Sequence, residues 1–250
     1  MITQYETAFG RHLRAALDDG DAFERHRSAN HDALTAQSHA DAVAESGVEF
    51  IYYMVPTLGG RTVAKVVPAQ HAKRMLTKGI AFHRTALSDL QSDRSGHLIG
   101  GGLEAREFWA LPEPETFQVL PWDTSVGRIF CRAYDPPHLP GVGGRVLAVD
   151  VRAMFDIAHT GFTQRTGLEL RSGLEPEMTW AGPGTEVKAK DGQSPAYQVE
   201  NLERMRPVYQ RVIRYGRALG LDMIQGDYED DGQLELNWNY DRSNRTADRL

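Results

Sequence analysis

The sequence predicts an α+β fold, in which a mixed β region lies between helical segments. Residues 3–45 carry their larger apolar side chains at helical spacing, and residues 48–133 are rich in short β-branched and aromatic runs separated by glycine and proline. The remaining sequence alternates two helical stretches with short strand patterns. A chain of 250 residues, 41% of them hydrophobic, is long enough for one or two packed cores.

Composition excludes several functional classes. The net charge of -6, from 28 basic and 34 acidic residues without a basic run, argues against a nucleic-acid partner. A single cysteine, Cys131, excludes an internal disulfide framework and a thiolate metal site, as is typical of a reducing compartment. No segment has the apolar length of a membrane span, and the start lacks a signal-peptide core. We therefore expect a cytoplasmic protein with no membrane contact.

The elements of the first half follow from local pattern. A helical lead-in occupies residues 1–46 and is followed by a hairpin, whose strands at 48–55 and 62–67 flank Gly59 and Gly60. A short helix is predicted at 71–79 and a loop at 92–102. Three further short strands are expected at Trp109, 117–120 and 126–133.

A proline- and glycine-rich connector at 135–144 predicts a domain boundary. The domains expected from it are a lead-in at 1–46, a β domain at 47–140 and a further domain at 141–250. The last domain should contain a helix at 152–167, a strand at 169–180, a long helix at 197–219 and strands at 222–226 and 233–238.

Two acidic strings stand out in the last domain, Gly173-Leu174-Glu175-Pro176-Glu177 and Glu229-Asp230-Asp231-Gly232-Gln233-Leu234-Glu235. In a strand, residues two apart point to the same face, so Glu175 and Glu177 could present paired carboxylates. Glu229 and Glu235 lie on either side of a glycine-containing turn and could join them. Carboxylates gathered in this way bind Mg²⁺ or Mn²⁺ in preference to zinc. A solvated strand edge is the more common explanation of a lone Glu-x-Glu pattern.

The order of these and other motifs resembles the glutamine synthetase family. The similar segments, from about Gly47 onward, are the hairpin at 48–68, Gly79-Ile80-Ala81-Phe82, the stretch 112–122 ending Leu120-Pro121-Trp122, Arg152 at the position of a domain-linking arginine, the Glu175/Glu177 pair and Gly232-Gln233-Leu234-Glu235-Leu236-Asn237. Glu113 stands where aspartate is usual in that family. The 182–197 connection and Asp227-Tyr228-Glu229-Asp230 are most similar to the branch that contains γ-glutamylmethylamide synthetases.

The resemblance implies a β-grasp-like N-terminal domain followed by the first half of a glutamine-synthetase catalytic α/β domain. It also implies ATP as substrate and Mg²⁺ or Mn²⁺ as cofactor, with Glu177, Glu229 and Glu235 holding one metal ion and Glu175 contributing to the metal on the ATP phosphates. Tyr240 matches an aromatic residue beside the nucleotide, although an aromatic at a strand end is also typical of a core.

The sequence departs from the family in three places. The turn between Glu229 and Glu235 is shortened, so either Glu229 or Asp227 could be the ligand. The hairpin tip from Thr57 to Arg61, expected to face the incoming amine, lacks the aspartate that attracts ammonium in ammonia-using members. The family's later histidine and arginine motifs lie beyond the point that Asp248-Arg249-Leu250 matches, and all nine histidines of this sequence precede Glu175.

The resemblance, with these departures, implies a subunit, or N-terminal half, of an ATP-dependent ligase that forms a γ-glutamyl or related amide from a carboxylate and an amine through an acyl phosphate. We expect a complementary chain to supply the rest of the catalytic domain, a ring-shaped oligomer, and no ligase activity from the isolated chain. The alternatives are a non-catalytic homologue that binds or regulates a full-length synthetase, and a truncated product without an independent role.

Overall fold

The computed structural model describes residues 8–87, 94–95, 97, 106–182, 192–230 and 232–249. The chain divides into two compact units, Met1–Leu168 and Glu169–Leu250, each with its own elements. Among the described residues, no helix has the length and apolar character needed to cross a bilayer. The loop predicted at 92–102 lies almost entirely outside the described residues.

Unit 1 begins with three helices, α1 (Ala8–Leu17), α2 (Ala22–His31) and α3 (Ala33–Ser46), in the segment expected to be helical. The carboxylate of Asp32 accepts a hydrogen bond from the backbone N–H of Leu34 and so caps α3. The helix ends at Gly47, whose φ of 72° lies in the left-handed region that glycine adopts at low cost.

A mixed six-stranded sheet follows these helices. Its strands are β1 (Phe50–Pro56), β2 (Thr62–Pro68), β3 (Ile80–His83), β4 (Glu107–Pro112), β5 (Gln118–Leu120) and β6 (Asp123–Tyr134), and α4 (Ala72–Lys78) lies between β2 and β3. The order is β2-β1-β6-β4-β3, with β5 paired to β6. Strands β1 and β6 run parallel, and the other pairs are antiparallel. The predicted hairpin, short helix and strands are therefore confirmed.

The core of unit 1 forms where alternate residues of β1 face helices α3 and α4. Ile51, Tyr53 and Val55 are fully buried in it, with Phe108 and Ile129 from neighbouring strands. Burying side chains of this size contributes about 1.5–3 kcal/mol each. The hairpin therefore belongs to the main hydrophobic core.

Helix α5 (Val151–Thr166) is joined to the sheet by polar contacts. The buried carboxylate of Asp150 accepts hydrogen bonds from the N–H of Ala133 in β6 (2.7 Å) and the N–H of Ala153 in α5 (2.9 Å). Arg152 forms an ion pair with buried Glu113, which also pairs with Arg132 at 2.8 Å. The structure therefore places Arg152 in a contact within unit 1.

The division between the units differs from the predicted boundary at residue 140. Helix α5 packs against α1 and β6, so it belongs to the first unit although it follows the proline- and glycine-rich connector. Composition marks an irregular connection, but side-chain contacts decide which helix joins which core.

Unit 2 contains β7 (Arg171–Ser172), β8 (Glu177–Thr179), α6 (Val199–Ala218), β9 (Met223–Tyr228), β10 (Gln233–Trp238), β11 (Asp241–Arg242) and α7 (Ser243–Arg249). Strands β8, β10 and β9 form an antiparallel sheet in that order, and β11 pairs with β7. Tyr228, Leu234 and Leu236 pack with Met205 of α6 in a second core. The prediction of one strand at 169–180 was wrong, because two short strands flank Gly173 to Pro176, where proline lacks a ladder N–H.

The double role of Asp150 yields a stability prediction. Asparagine caps a helix as effectively as aspartate does. Its NH₂ group is a donor, however, and cannot accept the hydrogen bond that the N–H of Ala133 donates. We expect Asp150→Asn to lower the free energy of unfolding by about 1–3 kcal/mol in urea titrations. The matched variant Asp32→Asn, at an exposed cap, should stay within about 0.5 kcal/mol of the wild type. Equal stability of Asp150→Asn would show that burying the charge costs as much as the second hydrogen bond contributes.

Candidate functional site

The acidic residues of unit 2 meet in one row across the three-stranded sheet. Glu235 of β10 lies directly opposite Glu177 of β8 on one side and Asp227 of β9 on the other. Directly opposed residues have Cβ atoms about 5 Å apart on the same face. Three carboxylates are therefore neighbours on one sheet face, opposite the face that packs against α6.

A tight turn brings a fourth carboxylate to this row. The N–H of Glu229 donates to the carbonyl of Gln233 (2.9 Å), and the N–H of Gly232, at φ 76°, donates to the carbonyl of Glu229 (3.2 Å). One carboxylate oxygen from each of Asp227, Glu229 and Glu235 then lies within 4.8 Å of the other two. We call these three residues the acid cluster.

The cluster carries an electrostatic cost. Burial, followed by the negative charges of Glu235, Glu229, Glu175 and Glu177, raises the pKa of Asp227 above its ordinary value. One oxygen of Asp227 is buried without a hydrogen-bond partner among the described residues. A carboxylate in such surroundings tends to take up a proton or to bind a cation.

The four predicted metal ligands occupy different positions in this arrangement. Glu229 and Glu235 belong to the acid cluster, and Glu177 is the cross-strand neighbour of Glu235. Glu175 is exposed and lies before β8. Glu177 is the first residue of β8, so Glu175 lies outside the strand, yet the charges of both carboxylates contribute to the raised pKa of Asp227. Of the open alternatives Asp227 and Glu229, the structure brings both into the cluster.

Sequence reasoning missed Tyr197. Its φ of 60° is unusual for a residue other than glycine, and its N–H donates to the carbonyl of Tyr228 at 2.8 Å. The charge of Glu229, together with a hydrogen bond between the two side chains, raises the pKa of the Tyr197 hydroxyl. A tyrosine just before a long helix has no periodic pattern that would single it out.

Asn237 is a second residue that sequence reasoning did not assign. It follows Glu235 by two positions in β10 and so lies on the same sheet face. Its side-chain Nδ2 donates a hydrogen bond to Oε1 of Glu235 at 2.5 Å. Two neutral donors, Tyr197 and Asn237, thus contact two members of the acid cluster.

The remaining predicted residues lie in other surroundings. Tyr240 is 60% exposed, so it is not a core residue, and the guanidinium of Arg171 lies 5.2 Å from its ring centre. In the hairpin of unit 1, Thr57 is 2% exposed, and its N–H donates to the carbonyl of Arg61 at 2.7 Å. Leu58, at 69% exposure, and Arg61 have exposed side chains at the tip.

The donor atoms of the acid cluster suit a divalent cation. Carboxylate oxygens are the ligands that Mg²⁺ and Mn²⁺ prefer, and the unpartnered oxygen of Asp227 is available to coordinate one. Asp227, Glu229 and Glu235 therefore fit such an ion, and Glu177 could add its charge from the neighbouring strand.

Several known proteins resemble this chain, although no protein-family model matches it. The glutamate–methylamine ligase of Methyloversatilis universalis is 27% identical over 203 residues, which cover 78% of this chain and 42% of that protein. The glutamine synthetase of Rhizobium meliloti is 28% identical over 214 residues, which cover 82% of this chain and 44% of that protein. The chain spans less than half the length of these curated relatives.

Solved structures show the same relationship. A GmaS/ADP complex is 28% identical and superposes with a TM-score of 0.68, covering 84% of this chain and 46% of that chain. A glutamine synthase homologue that is 14% identical, with a TM-score of 0.62, shows likeness of fold alone over 81% of this chain. Taken with the motifs, these similarities show that the chain is similar to proteins of the glutamine synthetase family, and among them to glutamate–methylamine ligase.

Proposed function

We propose that this chain supplies the N-terminal half of an ATP-dependent ligase that joins a carboxylate to an amine. The acid cluster of Asp227, Glu229 and Glu235 is the observation that carries the proposal. In this reaction ATP transfers its γ-phosphoryl group to the acid's side-chain carboxylate. The amine then displaces phosphate and forms a γ-glutamyl or related amide.

The chemistry explains why acidic residues are needed. A polyanionic nucleotide and a carboxylate repel each other, and divalent cations supply the compensating charge. Asp227, Glu229 and Glu235 would hold Mg²⁺ or Mn²⁺ near the acceptor acid, with Glu177 adjacent. Glu175, which is exposed and precedes β8, would help to hold the metal ion on the ATP phosphates.

Tyr240 is the proposed nucleotide contact. Its exposed ring already has the Arg171 guanidinium nearby, which pairs an aromatic surface with a positive charge. A nucleotide offers both a flat base and phosphate charge to such a pair. The similar GmaS structure is an ADP complex, which supports the proposal.

The proposal includes a complementary polypeptide and a ring-shaped oligomer. The similar proteins are more than twice the length of the segments they share with this chain. Residues 47–140 would form a β-grasp-like domain. Residues 141–250 would form the first part of a catalytic domain, with their first helix, α5, packed against unit 1. The remaining glutamate and nucleotide contacts would come from the second chain.

The complex can be tested directly. We expect the tagged chain, purified from its native cell with its companion, to release phosphate from ATP when glutamate and methylamine are both present. Glu235→Gln should lower this activity at least about a hundredfold, because a cluster ligand loses its charge. Glu203→Gln, which changes an exposed acid on α6, should leave it intact.

Two outcomes would contradict the proposal. Activity from the chain alone, with no other polypeptide detectable by mass spectrometry, would exclude the need for a second chain. A full-length synthetase as companion, with activity unaffected by Glu235→Gln, would favour the regulatory alternative.

The raised pKa of Asp227 yields a pH prediction. Native Asp227 binds its proton more tightly than unfolded Asp227, so this residue's contribution to stability falls as pH rises from about 3.8 through the raised value. At pH 7 without metal, Asp227→Asn should raise the melting temperature by about 1–3 °C. Mn²⁺ should stabilise the wild type more than the variant.

Scanning calorimetry from pH 4 to 8, with and without Mn²⁺, would measure the change in melting temperature caused by Asp227→Asn and the stabilisation by Mn²⁺. Asp222→Asn is the matched control, because this exposed carboxylate lies outside the acid cluster. A lower melting temperature for Asp227→Asn at pH 7 would show that repulsion is not the dominant effect at this residue.

The hairpin tip predicts amine preference in the active complex. Thr57 is buried, so a carboxylate is better introduced at exposed Leu58. We expect Leu58→Asp to raise kcat/KM for ammonium relative to methylamine severalfold, because a carboxylate attracts the cation and can accept its proton. Leu34→Asp adds the same charge at an exposed position on α3 and should not change the ratio. An unchanged ratio in Leu58→Asp would remove the hairpin from amine selection.

A further inference from the structure

Asn237 makes a directed contact with the acid cluster. It is 3% exposed, and its Nδ2 lies 2.5 Å from Oε1 of Glu235. An ionised carboxylate accepts hydrogen bonds and cannot donate them, so the NH₂ group of Asn237 must face Glu235. The orientation of the amide is therefore set by its acidic neighbour.

The other end of the amide makes no matching contact. Oδ1 of Asn237 is buried and has no hydrogen-bond partner within the described part of the chain. A buried acceptor without a partner destabilises the folded state, because it has lost its hydrogen bonds to water without replacing them. Fold stability alone therefore does not explain an asparagine at this position, where an apolar residue would avoid that cost.

Electrostatics indicates what the contact achieves. Glu235 lies among Asp227, Glu229 and Glu177, and repulsion favours rotamers that carry its carboxylate away from them. A hydrogen bond from Asn237 opposes that rotation and keeps the carboxylate in the cluster. It also leaves lone pairs of Glu235 free for a divalent ion.

We propose that Asn237 is a positioning residue, which holds the Glu235 carboxylate in the geometry that binds a divalent cation. The inference rests on the proposed function of the acid cluster as a cation site. Groups that orient a metal ligand by hydrogen bonding typically change metal affinity by 10–100-fold when they are replaced. Asn237 acts through Glu235 and has no assigned contact with the cation or a substrate.

The test measures Mn²⁺ binding to the purified 250-residue chain by electron paramagnetic resonance. Asn237→Leu and Asn237→Ala both remove the donor and differ in bulk, so one remains informative if the other fails to fold. We expect each folded variant to bind Mn²⁺ at least about tenfold more weakly and to alter the line shape of the bound ion. Asn237→Gln restores an amide donor and should bind more tightly than either.

Asn239→Leu is the matched control. This exposed asparagine also donates to a carboxylate, Oδ2 of Asp222 at 3.0 Å, but outside the acid cluster. It should leave Mn²⁺ affinity and line shape unchanged. Melting curves without metal should show that the Asn237 variants remain folded, which separates loss of binding from loss of structure.

The outcomes separate this inference from the proposed function. Wild-type Mn²⁺ affinity and line shape in a folded Asn237→Leu or Asn237→Ala variant would overturn the positioning role alone. The same loss of affinity in Asn239→Leu would also overturn it. If the unmodified chain binds no Mn²⁺, both the cation site and the role of Asn237 are refuted.

Discussion

Repulsion among carboxylates on one sheet face is the constraint around which the second unit is organised. One carboxylate oxygen from each of Asp227, Glu229 and Glu235 lies within 4.8 Å of the other two, and Glu177 faces Glu235 across the ladder. Like charges at this separation favour protonation or a bound cation. The raised pKa of Asp227 and the hydrogen bonds that Glu229 and Glu235 receive from neutral donors are responses to the same charge density.

The sheet can hold such a cluster because one of its faces is apolar and packs against α6, while the other face carries the acidic residues. Alternate residues of β9 and β10 point to opposite sides, so Tyr228, Leu234 and Leu236 pack with α6 while Asp227 and Glu235 face the other way. Apolar burial on one face offsets repulsion on the other. A one-residue slip between the strands would place the acids in the core.

Many of the secondary-structure elements were predictable because they depend on local sequence pattern. The hairpin, the long helix and the strands beside the acidic strings follow from periodicity and from glycine positions. The choice between Asp227 and Glu229 was not predictable, because it depends on how the shortened turn sets the register of β9 and β10. The roles of Tyr197 and Asn237 arise from side-chain hydrogen bonds that no spacing rule describes.

The carboxylate of Asp150 has a consequence for cooperativity in the first unit. It accepts the N–H of Ala133 in the sheet and the N–H of Ala153 in the first turn of α5. Because Asp150 is the N-cap residue of α5, any movement of the start of the helix away from the sheet also removes the acceptor of the Ala133 N–H. The start of α5 and the end of β6 should open as one kinetic unit, and their amide hydrogens should exchange with solvent deuterium at closely matched rates.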